Sequence, residues 1–193
     1  MQKNCSVVIL AAGYSSRMGQ LKFALTLSDG TTFIERIVKQ YLRFGCEEIV
    51  VVVNKEGLNY LDKSNLKEEN NYLIALNEYP ERERFYSLKT GLLKLKNPKH
   101  VFIQNVDNPF VNSKVLDALY INRAEADFVK PMFKNKGGHP ILITNKIAKE
   151  IILQKDYTIH LNNFLKSYLC KEVEVGDENI LININTIDEY LNL

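Results

Sequence analysis

Two nearly continuous runs of apolar residues constrain the fold of this chain more than any other feature. Ser6–Ala11 and Glu48–Val53 show no alternation of polar and apolar positions, which is typical of β-strands buried on both faces. Between them, Thr32–Glu35 has the pattern of a capping box that opens an amphipathic helix, and Gly45 is suited to the end of that helix. A strand, a helix and a second strand in this order predict a parallel sheet covered by helices.

The same rhythm continues along the chain. Further strands are predicted at Tyr72–Leu76, His100–Val106, Phe128–Phe133, Pro140–Thr144, Lys171–Val175 and Ile180–Ile184. Further helices are predicted at Phe85–Leu95, from Asn112 onward, and at Lys146–Leu153, Thr158–Tyr168 and Ile187–Leu193. We therefore expect a single α/β domain over residues 1–193, with three layers (α/β/α) arranged in a Rossmann-like fold around a mostly parallel sheet. In such folds, ligands bind at the carboxyl ends of the strands.

Composition narrows the classes of function. The 193 residues are 46% hydrophobic and 25% charged, as in ordinary globular proteins, and the net charge of +2 lacks the basic excess of a nucleic-acid-binding protein. The cysteines Cys5, Cys46 and Cys170 are widely spaced, which indicates free thiols in a reducing compartment. We find no secretory signal and no run long enough to span a membrane. We therefore expect a cytoplasmic monomer or homodimer that binds neither nucleic acid nor membrane.

The loop from Leu10 to Lys22 follows the first predicted strand and carries the strongest functional signal. Its run of two alanines and a glycine lets the backbone approach a ligand closely, and the amides of such a turn bind anions. Arg17 and Lys22 add positive charge suited to phosphate groups, and we predict them to be catalytic. The residues predicted to bind a nucleotide here are Leu10, Ala11, Ala12, Gly13, Ser15 and Ser16. The competing interpretation is a plain turn with incidental basic residues.

Asp107 follows the predicted strand His100–Val106 in the segment Asp-Asn-Pro. A carboxylate at the end of a buried strand is well placed to hold Mg²⁺, which binds one or two carboxylates together with phosphate oxygens of the substrate. Asp, Asn and Pro are also ordinary turn residues, so a structural role is the alternative. The preceding anion-binding loop favours the metal, because a polyphosphate needs a divalent cation.

Asn183 and Asn185 stand two positions apart, at the end of the predicted strand Ile180–Ile184. Side chains at this spacing point to the same side of a strand, and paired amides are costly in an apolar core. We therefore expect both to face a polar cleft and to complete the Mg²⁺ site of Asp107, with Asn185 as the second ligand and Asn183 nearby. The alternative is a solvent-facing stripe in a chain rich in asparagine.

Two further segments hold weaker candidates. Ser87 and Gly91, near the start of the predicted helix Phe85–Leu95, are candidates for contact with the nucleotide, although a simple helix cap is equally compatible with Ser87. His139, in the turn before Pro140–Thr144, is a candidate contact for a second substrate or a structural turn residue.

Together these segments resemble the molybdenum-cofactor nucleotidyltransferases, the guanylyl- and cytidylyltransferases that attach GMP or CMP to molybdopterin. The family pattern LAAGxSxRMGxxK is filled at every specified position by Leu10–Lys22. The patterns SLxxG, Asp-Gln-Pro, GHP and NINT correspond, in the same order, to Ser87–Gly91, Asp107–Pro109, Gly138–Pro140 and Asn183–Thr186. The matches extend along nearly the whole chain.

The resemblance implies a fold of the nucleotide-diphospho-sugar transferase type and a Mg²⁺-dependent reaction. In that reaction a nucleoside monophosphate, CMP or GMP, passes from an NTP to a small phosphorylated acceptor with release of pyrophosphate. The resemblance also implies that Asp107 is the metal-binding aspartate.

The chain departs from the family pattern just before Ser87. Relatives carry a glycine- and serine-rich segment, similar to GMSSSL, that helps to hold the base and the acceptor, whereas this chain has Arg84-Phe85-Tyr86-Ser87. Asn108 replaces the usual Gln, and Asn183 and Asn185 replace the aspartates of the cytidylyl type. The alternatives are therefore a transferase for sugar phosphates or alcohol phosphates, such as methylerythritol phosphate or phosphocholine, a non-catalytic nucleotide-binding protein of the same fold, and an interaction module that keeps only the fold.

Overall fold

The computed structural model describes residues 2–14, 18–63, 72–96 and 98–193. One half of its sheet is parallel, in the order β3-β2-β1-β4, with bounds Lys3–Leu10 (β1), Cys46–Val53 (β2), Leu73–Leu76 (β3) and His100–Asn105 (β4). The register pairs Leu10 with Val52 on one side and with Asn105 on the other. The loops that follow β1 and β4 therefore leave the sheet side by side.

The other half of the sheet is antiparallel where it joins the first. Its strands are β5 (Phe128–Phe133), β6 (Lys136–Gly137), β7 (Ile141–Thr144) and β8 (Cys170–Glu174). β7 pairs antiparallel with both β4 and β5, β6 forms a hairpin with β5, and β8 lies parallel to β5. Tight connections such as the turn at Lys134 and Asn135 permit only antiparallel pairing. The sheet is thus mixed, and the predicted parallel arrangement holds for its central strands.

Helices cover both faces of the sheet and confirm the predicted three-layer α/β fold. Their bounds are Phe33–Phe44 (α1), Lys55–Lys63 (α2), Glu83–Leu92 (α3), Ser113–Ile121 (α4), Asn145–Leu153 (α5), Leu161–Leu165 (α6) and Ile187–Leu191 (α7). Alternate residues of β1 belong to two separate cores. Val7 and Ile9 pack in the core that contains α1 and α4, whereas Val8 and Leu10 pack in the core that contains α3 and α5.

The predicted beginning and end of α1 are confirmed. The Thr32 hydroxyl accepts a hydrogen bond from the Glu35 amide, and the Glu35 carboxylate accepts one from the Thr32 amide. Gly45 ends the helix with a φ of 94°, a left-handed conformation that favours glycine. Among the residues described, no helix combines the length and the apolar composition that crossing a membrane requires.

Two predicted elements are wrong. Residues 180–184 do not form a strand: the segment contains a short 3₁₀ helix, Glu178–Leu181, and then bonds to neighbouring loops, with the Ile184 amide donating to the Asp107 carbonyl over 2.8 Å. The predicted helix Thr158–Tyr168 is reduced to α6, because the Thr158 amide and hydroxyl bond to the Asp156 carboxylate in a turn.

Candidate active site

Two adjoining clefts lie at the carboxyl edge of the parallel strands. The first cleft encloses about 390 Å³ and is bounded by the loops after β1 and β4, the start of α3 and the segment before α7. The second cleft encloses about 660 Å³ and lies over β4, β7 and β5, with α6 on its far side. Glu83, Arg84 and Asn105 line both clefts, so these three residues form the boundary between them.

The loop after β1 forms the floor of the first cleft. Leu10, Ala11, Ala12 and Gly13 all line it. The Ala11 amide donates to the Val52 carbonyl over 2.9 Å and so continues the sheet rather than facing a ligand. Apart from its two chain neighbours, no atom of the described residues lies within 4 Å of the Cβ position of Gly13, which leaves room for a ligand beside the backbone. Ser15, Ser16 and Arg17 lie outside the described residues, and their contacts with a nucleotide stay predictions.

Lys22 and Asn185 come from distant parts of the sequence and meet in the first cleft. The Lys22 Nζ donates to Asn185 Oδ1 over 3.1 Å, while Asn185 Nδ2 donates to the Asn183 carbonyl over 3.2 Å. The Asn185 amide donates to the Glu189 carboxylate over 2.6 Å. This bond and the one from the Thr186 amide lower the pKa of Glu189. An ionised Glu189 therefore fixes the backbone that presents the Asn185 side-chain oxygen to Lys22.

Asp107 lies in the turn after β4, and hydrogen bonds from the Gln104 side chain stabilise this turn. Gln104 donates its side-chain amide to the carbonyls of Asn105 and Asn108, over 2.8 and 2.9 Å, and accepts the Tyr41 hydroxyl over 2.9 Å. Among the described residues, the buried Oδ1 of Asp107 has no hydrogen-bond partner. A buried carboxylate oxygen without a partner is costly, so this atom is suited to a cation or a donor supplied by a ligand.

The residues present fit a Mg²⁺ site that is shared with a substrate. Within the described ranges, no group of three or more His, Cys, Asp and Glu side chains could form a complete metal cage. Asp107 and Asn185 both line the first cleft and offer the hard oxygen atoms that Mg²⁺ prefers. Mg²⁺ commonly takes its remaining ligands from substrate phosphates and water.

Asn183 is not brought to the first cleft. It is exposed, it does not line the cleft, and its side-chain amide donates to the Leu181 carbonyl over 3.2 Å. The expectation that it shares a face with Asn185 assumed a β-strand. Because the segment is not a strand, alternation does not apply, and only Asn185 enters the site.

Ser87 lines the first cleft, whereas Gly91 does not. The Ser87 hydroxyl donates to the Glu83 carbonyl over 3.1 Å and accepts from the buried Asn77 side chain over 2.8 Å. Gly91 packs against the sheet: a Cβ there would lie 2.4 Å from a methyl group of Val8 and 2.7 Å from one of Val52. Gly91 lies at the contact between α3 and the strands. This close packing explains why the position is a glycine, and no contact with a nucleotide is needed to explain it.

His139 lines the second cleft next to its boundary. Its Nε2 lies 3.1 Å from Asn105 Nδ2, so Nε2 accepts and the neutral ring carries its proton on Nδ1. Burial lowers the pKa of His139, and the charge of Arg84 lowers it further, against a smaller opposing effect of Asp107. Nδ1 is buried without a partner among the described residues. A neutral His139 therefore carries a buried N–H group that no described residue accepts.

Sequence reasoning missed the residues on the boundary and the basic side chains of the second cleft. Lys130, His160 and Lys166 line that cleft, where Lys130 forms an ion pair of 2.8 Å with Glu172. Arg84 appeared in the sequence only as a departure from a family pattern. No local pattern identifies such residues, since their importance depends on which elements meet in space.

Comparison with known proteins identifies the family. Residues 7–169 match the MobA-like NTP transferase domain. The chain is 26% identical over 187 residues to the molybdenum cofactor cytidylyltransferase of Escherichia coli, with 95% of this chain and 92% of that protein covered. It is 27% identical over 200 residues to a probable molybdenum cofactor guanylyltransferase of Clostridium perfringens, with 97% and 95% covered.

A solved structure supports the same fold. A nucleotidyl transferase from Methanothermobacter superposes with a TM-score of 0.80 at 21% identity, covering 97% of this chain and 94% of that one. The α/β fold with parallel central strands is therefore shared with a known nucleotidyltransferase. Because the family match includes the loop after β1, Asp107 and most of both clefts, the chain belongs to the MobA-like NTP transferases and is a nucleotidyltransferase.

Proposed function

We propose that the protein transfers a nucleoside monophosphate, CMP or GMP, from an NTP to a small phosphorylated acceptor, with Mg²⁺ as cofactor and pyrophosphate as the second product. One observation carries this proposal. Asp107, whose buried Oδ1 has no partner among the described residues, lines the same cleft as Lys22 and the small-residue loop after β1.

The first cleft is the proposed nucleotide site. Residues 10–13 leave space for the NTP close to the backbone, and Ser87 lies on the opposite wall. Lys22 neutralises the triphosphate, and we retain Arg17, Ser15 and Ser16 as further phosphate contacts on the basis of the sequence. Asp107 and Asn185 would hold Mg²⁺, which would supply positive charge to offset the negative charge on the departing pyrophosphate.

The second cleft is the proposed acceptor site. It adjoins the first cleft at Asn105. It is lined by Lys130, His160 and Lys166, and these basic side chains suit an anionic molecule. His139 donates from Nδ1 to the acceptor and orients it. An oxygen of the acceptor phosphate attacks the α-phosphorus of the NTP; the new O–P bond forms as the bond to the pyrophosphate oxygen breaks. The attacking oxygen is already ionised, so the step requires positioning and charge neutralisation rather than a general base.

The names of the relatives guide the choice of substrates. Both curated relatives are named for the molybdenum cofactor, one as a cytidylyltransferase and one as a guanylyltransferase. We therefore propose a molybdopterin-like acceptor and either CTP or GTP as donor. Sugar phosphates and alcohol phosphates stay as alternative acceptors, since the same fold serves several of them.

The test is pyrophosphate release in the presence of each of the four NTPs, with Mg²⁺ or with EDTA, and with a panel of phosphorylated acceptors. Asp107→Asn should reduce turnover about 100-fold or more, because the metal contributes several kcal/mol of charge stabilisation. Asp117→Asn is the matched control, since Asp117 pairs with Lys3 at the opposite end of β1. Full turnover in Asp107→Asn would contradict the metal assignment. Tight NTP binding without release of pyrophosphate by the unmodified protein would favour the non-catalytic alternative.

A further inference from the structure

We propose that Arg84 bridges the two substrates, with one edge of its guanidinium on the α-phosphate of the NTP and the other on the attacking phosphate of the acceptor. This inference rests on the proposed function of the two clefts. It assigns a catalytic role to a side chain at their boundary.

The position of Arg84 is the first argument. It is the second residue of α3, its side chain is exposed, and it lines both clefts. Within the described part of the chain it forms no hydrogen bond, ion pair or ring contact. Of the residues on the boundary, Glu83 repels phosphate and Asn105 is buried and already bonded to His139. Arg84 is therefore the boundary residue whose charge and freedom suit two anions.

The contrast with Arg82 is the second argument. The Arg82 guanidinium lies 4.3 Å from the ring centroid of Tyr79, 5.1 Å from that of Tyr86 and 5.2 Å from that of Tyr157. Arg82 is thus engaged in cation–π contacts and lines neither cleft. Two arginines in one short segment have different surroundings, and only Arg84 is placed to meet a ligand.

The backbone before Arg84 is the third argument. Glu83 has φ 61° and ψ −162°, a combination that residues with a Cβ rarely adopt. Backbone strain of this kind persists where surrounding structure holds it, and it is frequent at ligand sites. Here it sets the direction in which the chain enters α3 and so the boundary position of Arg84.

The chemistry requires such a group. When an acceptor phosphate approaches the α-phosphate, two anions come together, and their repulsion opposes the reaction. Guanidinium has five N–H donors in a planar fork and can bind oxygen atoms of two phosphates at once. Arg84 does not alter which bonds form and break in the reaction. One O–P bond forms to the acceptor, one O–P bond to pyrophosphate breaks, and Arg84 exchanges no proton.

The experiment compares Arg84→Met, Arg84→Lys and the control Arg82→Met with the unmodified protein. Calorimetry measures the binding of CTP and of GTP with Mg²⁺, and separately the binding of inorganic phosphate as a probe of the acceptor site. Arg84→Met should weaken both the nucleotide and the phosphate by about tenfold each, and leave the melting temperature unchanged because the side chain has no protein partner. Arg84→Lys should recover part of the binding, and Arg82→Met should bind both probes normally.

The outcomes separate this inference from the proposed function. If Arg84→Met weakens only one probe, or neither, the bridging role is overturned while the two-cleft function stands. If Arg82→Met weakens the binding of both probes as much as Arg84→Met does, the positive charge of the region explains the binding rather than a specific contact. That result also overturns the bridging role of Arg84. If the unmodified protein binds no NTP and releases no pyrophosphate, the proposed function itself fails. The bridging role is supported if Arg84→Met weakens the binding of both probes and Arg82→Met weakens the binding of neither.

Discussion

Glu83 holds a backbone conformation, φ 61° and ψ −162°, that is nearly exclusive to glycine. Counting back from Ser87, this position coincides with the glycine of the GMSSSL-like pattern that relatives carry. This chain places a side chain where that pattern has a glycine. The Glu83 carboxylate lies at the boundary between the two proposed substrate clefts.

This conformation leads to a prediction for stability. Glu83→Gly should be more stable than Glu83→Ala by about 1 kcal/mol, because both variants remove the carboxylate and only glycine relieves the strain on the Cβ. Urea denaturation of the two variants measures the difference. An alanine variant as stable as the glycine variant would show that the backbone at this position is not strained.

At the scale of single residues, sequence and structure contribute different information. Lys22 and Asp107 were predictable from residue type and from their positions after strands. Asn185 was predicted from a strand that does not form, yet the structure brings all three residues to one cleft. Their roles in binding and catalysis stay predictions. Arg84 could not be identified in this way. Its position between the two clefts depends on how α3 lies against β4 and the turn at His139, which the sequence does not reveal.

Among the secondary-structure elements, α3 depends on an unusually close approach to the sheet. At Gly91 a Cβ would lie 2.4 Å from Val8 Cγ1 and 2.7 Å from Val52 Cγ2, so the helix and both strands would have to separate. Gly91→Ala should therefore destabilise the protein by about 1–3 kcal/mol through overpacking. Thermal or urea denaturation measures this change.

The matched control for this prediction is Gly176→Ala, since no described residue other than its chain neighbours has an atom within 4 Å of its Cβ position. It should change the free energy of unfolding by less than about 0.5 kcal/mol. The folded fraction of Gly91→Ala should bind NTP as the unmodified protein does. A specific loss of NTP affinity without a loss of stability would return Gly91 to the nucleotide site.

Elements with strong local signals were predictable, and those defined by long-range bonds were not. The capping box and terminal glycine of α1 are local, so both ends of that helix followed from the sequence. The segment 180–184 has the apolar composition of a buried strand, but its Ile180 carbonyl accepts from the His139 amide and its Ile184 amide donates to the Asp107 carbonyl. Apolar periodicity cannot reveal that such backbone groups serve two loops rather than a neighbouring strand.

For the whole molecule, the proposed nucleotide site joins segments from both ends of the described sequence, residues 10–14 and Asn185. A ligand there should stabilise the complete fold. Mg²⁺ with the preferred NTP at 100 times its dissociation constant should add about 2.7 kcal/mol, which raises the melting temperature by about 5–10 °C.

A thermal-shift series with the four NTPs tests this linkage and also ranks the donors. EDTA should reduce the shift, because Asp107 and the triphosphate would then lack their shared cation. Equal stabilisation by all four NTPs would contradict a preference for CTP or GTP, and no shift with any of them would contradict the nucleotide site.

The class of the whole fold was predictable, but the directions of its strands were not. Consecutive buried strands separated by helices indicated the parallel half correctly. A buried strand has the same apolar composition in either direction, so the sequence of β7 does not indicate that it runs antiparallel to both β4 and β5.

The division of the sheet into two halves also bears on how this molecule can diversify. The second cleft is built largely from residues 128–170, whereas the first uses none of them. Recombination or loop replacement within 128–170 would therefore alter the proposed acceptor cleft and leave the lining of the proposed nucleotide cleft unchanged. Among the described residues, Glu83, Arg84 and Asn105 are those that would have to remain compatible with both clefts.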